Sequence, residues 1–240
     1  MEMKKLCFSI VVLVQLMALV ITEGRAQSSQ RDYLDEIKTE LKKQWPANRT
    51  INLVFHGHSV PSGYFKTPDV RTLDAYPQQV LQQLKAIYPT AVINIIVTAI
   101  GGENSVQGQK RFRKQVLVYK PDVLFIDYAL NDRRLGLSKA REATKKMIRA
   151  ALKKKIKIIL LTPSPDLSVK LTTPDNELEQ FAKQIKAVAE QYHIGLADSY
   201  TKFKQLAENG EDLSQYMSQG NHPDKDGHQI IAGEVMKYFN

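Results

Sequence analysis

Four short stretches of this 240-residue chain carry groups able to do chemistry, three of them just after strand-like runs and the fourth after a last strand and its helix. Gly57-His58-Ser59-Val60 offers a hydroxyl, and Gly101-Gly102-Glu103-Asn104 offers a glycine turn with backbone N–H groups. Leu130-Asn131-Asp132 offers a side-chain amide, and Asn221-His222-Pro223 offers an imidazole. These are the parts of an acyl transfer. A serine hydroxyl becomes a useful nucleophile when a base takes its proton. The oxyanion of the tetrahedral intermediate then needs preorganised donors. A glycine lets backbone N–H groups come close to it, and an asparagine amide adds a neutral donor. Singly, each stretch reads as a cap or a turn. The four together, in this order at four predicted loops, point to ester hydrolysis.

The elements that must position these groups follow from periodicity. Near-continuous apolar runs at Ile51 to Phe55, Ala91 to Ala99, Asp122 to Ala129, Lys157 to Thr162 and Gly195 to Ser199 read as strands. Helical spacing is found from a cap at Asp74 through Tyr76, Val80, Leu84 and Ile87, with Pro77 tolerated in the first turn. Further helices are expected at Gln107 to Tyr119, Leu137 to Lys155, Pro174 to His193 (started by Thr173), Thr201 to Glu208 and Asp226 to Tyr238. Apolar strands alternating with helices imply a parallel sheet covered on both faces. Five strands are too few for an eight-stranded barrel. The expected fold is therefore α/β: a three-layer α/β/α sandwich of flavodoxin-like type on a five-stranded parallel sheet, with its site beyond the carboxyl ends of the strands.

The blocks and their order resemble the SGNH/GDSL hydrolase family over essentially the whole chain after residue 26. Gly57-His58-Ser59 is similar to the family's first block. Gly102 in Gly102-Glu103-Asn104-Ser105 matches the second, Asn131-Asp132 the third, and His222-Pro223 the fifth, followed by Gly227-His228-Gln229-Ile230-Ile231-Ala232. The resemblance implies that Ser59 is the nucleophile and His222 its base. It also implies an oxyanion hole made by the backbone N–H groups of Ser59 and Gly102 and the side chain of Asn131. The implied activity is a serine esterase removing ester groups, acetyl above all, from carbohydrate. Neither cofactor nor metal is called for.

Two positions depart from the family pattern. His58 replaces the usual aspartate before the serine. Gln219 stands three residues before His222, where the family carries the triad aspartate. A carboxylate there would orient the imidazole and stabilise its cation, and in a serine protease its loss costs about 10⁴ in turnover. The chain then works as a Ser–His dyad with Gln219 accepting from the ring, borrows another acceptor such as Asp224 or a backbone carbonyl, or is slow. Two other readings stay open. One is a non-catalytic carbohydrate-binding relative on the same fold. The other is a metal-assisted hydrolase using His56 and His58, whose spacing puts both side chains on one side of a strand.

Composition narrows the setting. With 43% apolar and 25% charged residues the chain is globular. Lys4 and Lys5, the apolar run from Leu6 to Ile21, and Gly24-Arg25-Ala26 read as a secretory signal peptide over residues 1–26, leaving one esterase domain over 27–240. The apolar run is short of the roughly 20 residues of a spanning helix, so no stable membrane insertion is expected. The expected location is secreted or periplasmic. Cys7, the only cysteine, falls inside the signal, which excludes disulfides and thiol catalysis from the remainder. The net charge of +9 is concentrated on residues 136–155, and no nucleic-acid-binding motif accompanies it, so no nucleic-acid partner is expected. Lys110, Arg111, Arg113 and Lys114, with Arg133 and Arg134, either form an ordinary solvated surface or steer an acidic polysaccharide such as acetylated pectin. No pattern specifies an oligomer.

Overall fold

The computed structural model describes residues 32–240. The proposed signal peptide lies outside the described residues. Five parallel strands form one sheet: β1 (Thr50–Gly57), β2 (Val92–Val97), β3 (Val123–Asp127), β4 (Lys157–Leu161) and β5 (Gly195–Ala197). Their order is β2-β1-β3-β4-β5, the flavodoxin-like order. The register pairs Phe55 with both Val97 and Phe125, and the two phenyl rings stack with centroids 4.2 Å apart.

Alternation along the strands feeds two cores. Leu53, Phe55, Val123 and Phe125 point into one, built with α1 (Asp35–Leu41), α3 (Tyr76–Ile87), α7 (Ser199–Glu208) and α8 (Lys225–Met236). Val54, Leu124, Ile126, Ile158 and Leu160 point into the other, against α4 (Ser105–Gln115), α5 (Leu137–Leu152) and part of α6 (Glu177–Tyr192). Each fully buried Leu, Ile or Phe contributes about 1.5–3 kcal/mol by leaving water, so both faces anchor the strand ends firmly. The sheet thus has the expected three layers. Among the described residues no helix is long and apolar enough to cross a membrane.

Two helix starts differ from the sequence reading. Asp74 does not cap α3. It ends a 3₁₀ turn, Thr72–Asp74, and its carbonyl accepts from Gln79 Nε2 at 2.7 Å, while Ala75 holds the cap position. Thr173 does not start α6. Asp175 sits at φ +56°, a left-handed conformation that a right-handed helix does not pass through, and Asn176 after it takes the cap, accepting from Glu179 N–H at 3.0 Å. The run from Gln107 to Tyr119 starts earlier than expected and breaks after Gln115 into a 3₁₀ turn, Leu117–Tyr119. The structure also contains elements with no signal in the periodicity. A four-residue helix, α2 (Ser59–Ser62), follows β1, and an antiparallel pair, β6 (Met217–Gln219) with β7 (His222–Pro223), precedes α8. Such pieces are too short to show a period.

Candidate active site

The site lies where the sheet topology directs it, beyond the carboxyl ends of β1, β2 and β3. The chain must turn sharply after β1. Gly57 makes this feasible, because a Cβ there would come within 2.4 Å of the Asp127 carbonyl on the neighbouring strand. His58 caps α2, its Nδ1 accepting from Val60 N–H at 3.3 Å. That fixes the proton on Nε2, which faces Asp127 Oδ1 at 3.4 Å. Ser59, the first residue of α2, is buried to 7% exposure, with its hydroxyl on a cleft of about 600 Å³.

His222 comes from β7 on the far side of that cleft. Its Nε2 is 3.0 Å from Ser59 Oγ, and its Nδ1 is 3.0 Å from the carbonyl oxygen of Phe65. A carbonyl can only accept. The Nδ1 therefore carries the proton, and the bare Nε2 is the acceptor for the serine hydroxyl. Burial pushes the His222 pKa below the ordinary histidine value, the Phe65 carbonyl opposes that shift, and nearby His58 adds to it. The neutral imidazole that results can take a proton from Ser59 at neutral pH.

Neither side chain expected to orient this ring touches it. Gln219 Oε1 accepts from Thr67 N–H at 3.0 Å and from Thr67 Oγ1 at 3.3 Å. Asp224 caps α8, accepting from Asp226 N–H at 3.0 Å and Gly227 N–H at 2.9 Å. The backbone of Phe65 holds the position that a carboxylate would occupy.

Gly102 and Asn131 line the same cleft as Ser59 and His222. Gly102 adopts φ +75°, and a Cβ there would meet open space, so the glycine serves the turn's backbone conformation rather than close packing. Asn131 opens a 3₁₀ turn, Asn131–Arg134, and its Nδ2 donates to the Glu103 carbonyl at 2.9 Å. An amide nitrogen has two N–H groups, so one remains for the cleft. The turn after β2 and the turn after β3 are thereby tied together at the cleft.

Behind them lies a buried network that sequence reasoning did not find. Glu103 accepts from Arg111 Nε at 2.7 Å, pairs with the same guanidinium through its second oxygen, and accepts from Tyr128 Oη at 2.7 Å. Tyr128 Oη lies 3.2 Å from His56 Nε2, and His56 Nδ1 lies 3.0 Å from Thr98 Oγ1. Burial, then Arg111, lowers the His56 pKa to about 4. The Glu103–Arg111 spacing on a capped helix was the only available hint, since the other partners are distant in sequence. Two further buried carboxylates serve the scaffold. Asp127 accepts from Tyr76 Oη at 3.1 Å, and Asp132 accepts from Ser105 N–H at 2.8 Å, burial raising its pKa to about 6. His228 Nδ1 accepts from Tyr76 N–H at 3.2 Å.

His56 and His58 are thus engaged in separate networks. Among the described residues no group of three or more His, Cys, Asp or Glu could hold a metal ion. Of the basic residues considered for steering, Arg111 is committed to Glu103 and Arg133 to Asp166 and Glu177, whereas Arg134 lines the cleft.

Solved structures similar to this one carry the same fold. One is a two-domain esterase (CEX) active on acetylated mannans, at TM-score 0.70 and 19% identity, covering 86% of this chain and 52% of that one. This chain spans about half the length of that protein. Another is Axe2, an acetylxylan esterase from Geobacillus stearothermophilus, at TM-score 0.69 and 20% identity, covering 79% of this chain and 94% of that one. At such identities the likeness speaks for the fold alone. No curated protein sequence matches the chain. Residues 55–230, which run from the end of β1 into α8 and include all four site loops, match the GDSL-like lipase/acylhydrolase family, and the chain belongs to that family of ester hydrolases.

Proposed function

We propose that this protein is a serine esterase that removes acetyl groups from carbohydrate through a covalent acyl-enzyme. The observation that carries this reading is the 3.0 Å contact between Ser59 Oγ and His222 Nε2, open to the cleft that Gly102 and Asn131 line. In the first step His222 takes the Ser59 proton as the oxygen attacks the acetyl carbonyl. The backbone N–H groups of Ser59 and Gly102 and the free N–H of Asn131 hold the oxyanion. The intermediate then collapses, the sugar oxygen leaves with the proton from His222, and the acetyl group stays on Ser59. Water, activated by the same imidazole, releases acetate. Throughout, the Phe65 carbonyl fixes the Nδ1–H tautomer without adding charge.

The lining favours a small acyl group on a polar carrier. Thr67, Asn104, Gln107, Asn131 and Asn221 present hydroxyl and amide groups, and Tyr64 presents a partly exposed ring. No aliphatic side chain lines this cleft, so a long acyl chain would find little apolar surface. The similar esterases active on acetylated mannans and xylan agree with a sugar carrier. We further propose that residues 1–26 direct the chain out of the cytoplasm and are removed, leaving one domain over 27–240. Lys4, Lys5 and the apolar run to Ile21 support this.

The test is a panel of acetylated sugars and 4-nitrophenyl acyl esters assayed with wild type and Ser59→Ala. Acetate release that falls with acyl length and vanishes in Ser59→Ala is expected. Equal turnover in the variant sinks the reading. A non-catalytic carbohydrate-binding protein would bind the sugars yet leave a serine-reactive fluorophosphonate probe unattached.

A further inference from the structure

The Phe65 carbonyl is a backbone group, so its place depends on the loop that carries it. That loop closes on itself. Phe65 N–H donates to Asp69 O at 3.0 Å, Arg71 N–H donates to Gly63 O at 2.7 Å, and the Arg71 guanidinium lies 3.7 Å over the Phe65 ring. Gln219 then joins the closed loop to the β6–β7 pair through its two bonds from Thr67. Gln219 is the register partner of His222 across that pair. One small two-stranded unit therefore grips the loop twice, with His222 at Phe65 and Gln219 at Thr67, two residues on.

We propose that Gln219 is a positioning residue: it holds the 63–71 loop so that the Phe65 carbonyl stays on Nδ1 of His222. Gln219 thus acts on the ring through the loop and not by contact. The inference rests on the Ser59–His222 mechanism proposed above. The titratable group acting on the ring is His58, while the ring itself acts on His228, with Tyr64 in ring contact at 6.0 Å. Asp224 is spent on its helix cap, and Lys66 and Asp69 of the loop are exposed.

The experiment compares wild type, Gln219→Ala and Gln219→Glu by kcat, KM and the pH profile of kcat/KM, with circular dichroism as the folding check. Gln219→Ala is expected to lower kcat by roughly 3- to 10-fold, the weight of one neutral hydrogen bond. Its acid limb should move to lower pH, because the Phe65 bond is what holds the His222 pKa up. Gln219→Glu keeps an acceptor and adds negative charge, so it should recover kcat and move the limb to higher pH. Wild-type kcat with an unmoved limb in Gln219→Ala overturns the proposal. So does a loss of kcat with an unmoved limb, which marks simple loosening. Should Gln219→Ala fail to fold, an unshifted limb in Gln219→Glu overturns it alone. Retained turnover in Ser59→Ala would strike the underlying mechanism instead.

A separate observation concerns what the sugar carries. In a 3₁₀ turn, side chains three apart eclipse one another. In the turn Asn131–Arg134 this puts Arg134 on the same side as Asn131, about 6 Å along the turn axis. Arg133 is turned away onto Leu130 O, Asp166 and Glu177. Arg134 is exposed, lines the cleft, and has no ion-pair or hydrogen-bond partner among the described residues. Among the described residues no carboxylate lines the cleft with it. We infer that the preferred substrate is an acetylated sugar bearing a carboxylate, a uronic acid, which Arg134 binds beside the oxyanion donors. This rests on the esterase reading.

The measure is the ratio of kcat/KM on O-acetylated oligogalacturonate to that on acetylated xylo-oligosaccharide. Wild type should favour the acidic substrate, and Arg134→Gln should lower the ratio roughly 3- to 20-fold, between an exposed ion pair and a charge-assisted hydrogen bond. An equal ratio in the two proteins, or a wild-type preference for the neutral sugar, overturns the inference. Calorimetry of unesterified oligogalacturonate on Ser59→Ala gives a second reading without turnover, and binding no weaker in Ser59→Ala/Arg134→Gln overturns it as well. Absence of Ser59-dependent hydrolysis on every substrate, 4-nitrophenyl acetate included, brings down the esterase reading and this inference with it.

Discussion

Replacing Asn131 by alanine separates transition-state stabilisation from the other work this side chain does. Its amide has two N–H groups. One donates to the Glu103 carbonyl at 2.9 Å, and the other is available to the oxyanion. Loss of the second should lower kcat by about 10² to 10³, or about 2.7–4 kcal/mol of barrier. Loss of the first affects the resting fold. A neutral hydrogen bond is worth about 1 kcal/mol, which for a protein of this size is a fall in Tm of about 2–4 °C. The two numbers are well apart, so a melt and a steady-state assay on 4-nitrophenyl acetate distinguish them. Asn131→Asp sharpens the test. It keeps the shape of the side chain, removes both donors and places negative charge where negative charge develops, so it should be no more active than Asn131→Ala. A rise in KM with kcat unchanged would show that Asn131 merely holds substrate. An active Asn131→Asp enzyme would refute the placement of the oxyanion altogether.

Three other outcomes follow from the geometry. In the proposed mechanism the base is a neutral imidazole, and burial lowers the His222 pKa; kcat/KM should therefore hold as pH falls through the ordinary histidine range near 6.5 and decline only below it, which a pH–rate profile checks. Glu103→Ala leaves Arg111 without its partner beside Tyr128 and should cost about 3 kcal/mol, seen as a Tm lower by about 6–12 °C; a Tm within 2 °C or so of wild type would show that water replaces the carboxylate. Gly57→Ala drives a Cβ to 2.4 Å from the Asp127 carbonyl and should displace Ser59 from His222, so that the serine-reactive probe labels the variant far more slowly than the wild type.

The sheet and the four loops were legible because they rest on patterns that survive in one dimension. Apolar runs such as Ile51 to Phe55 and Asp122 to Ala129 are long enough to declare buried strands, and the polar residues at their ends have nowhere to go but the sheet's edge. That logic brought Ser59, Gly102, Asn131 and His222 to one cleft. The partner of His222 was a different matter. A backbone carbonyl is present at every residue, so nothing about Phe65 in the sequence marks it out. The sequence left a backbone carbonyl open as an acceptor but could name only Gln219 and Asp224, because only side chains carry identity. Likewise the Glu103–Tyr128–His56 chain joins residues 25 and 72 positions apart, a distance that no local pattern spans. The displaced caps at Ala75 and Asn176 reflect the 3₁₀ turn that takes up Asp74 and the left-handed backbone of Asp175.

The start of α4 has a bearing on how this protein can change. Asn104 and Gln107 form a reciprocal capping box, each side chain bonded to the other's backbone N–H at 3.1 and 3.0 Å. The same two side chains line the cleft. A substitution that retunes which substrate fits there also unfastens the helix that carries Arg111, at about 1 kcal/mol for a lost cap. Adaptation to a new substrate is thus steered away from this wall and toward Tyr64, Arg134 and Asn221, whose replacement leaves α4 closed. A directed-evolution library that randomises those three positions should yield more folded variants with altered preference than one of equal size built on Asn104 and Gln107.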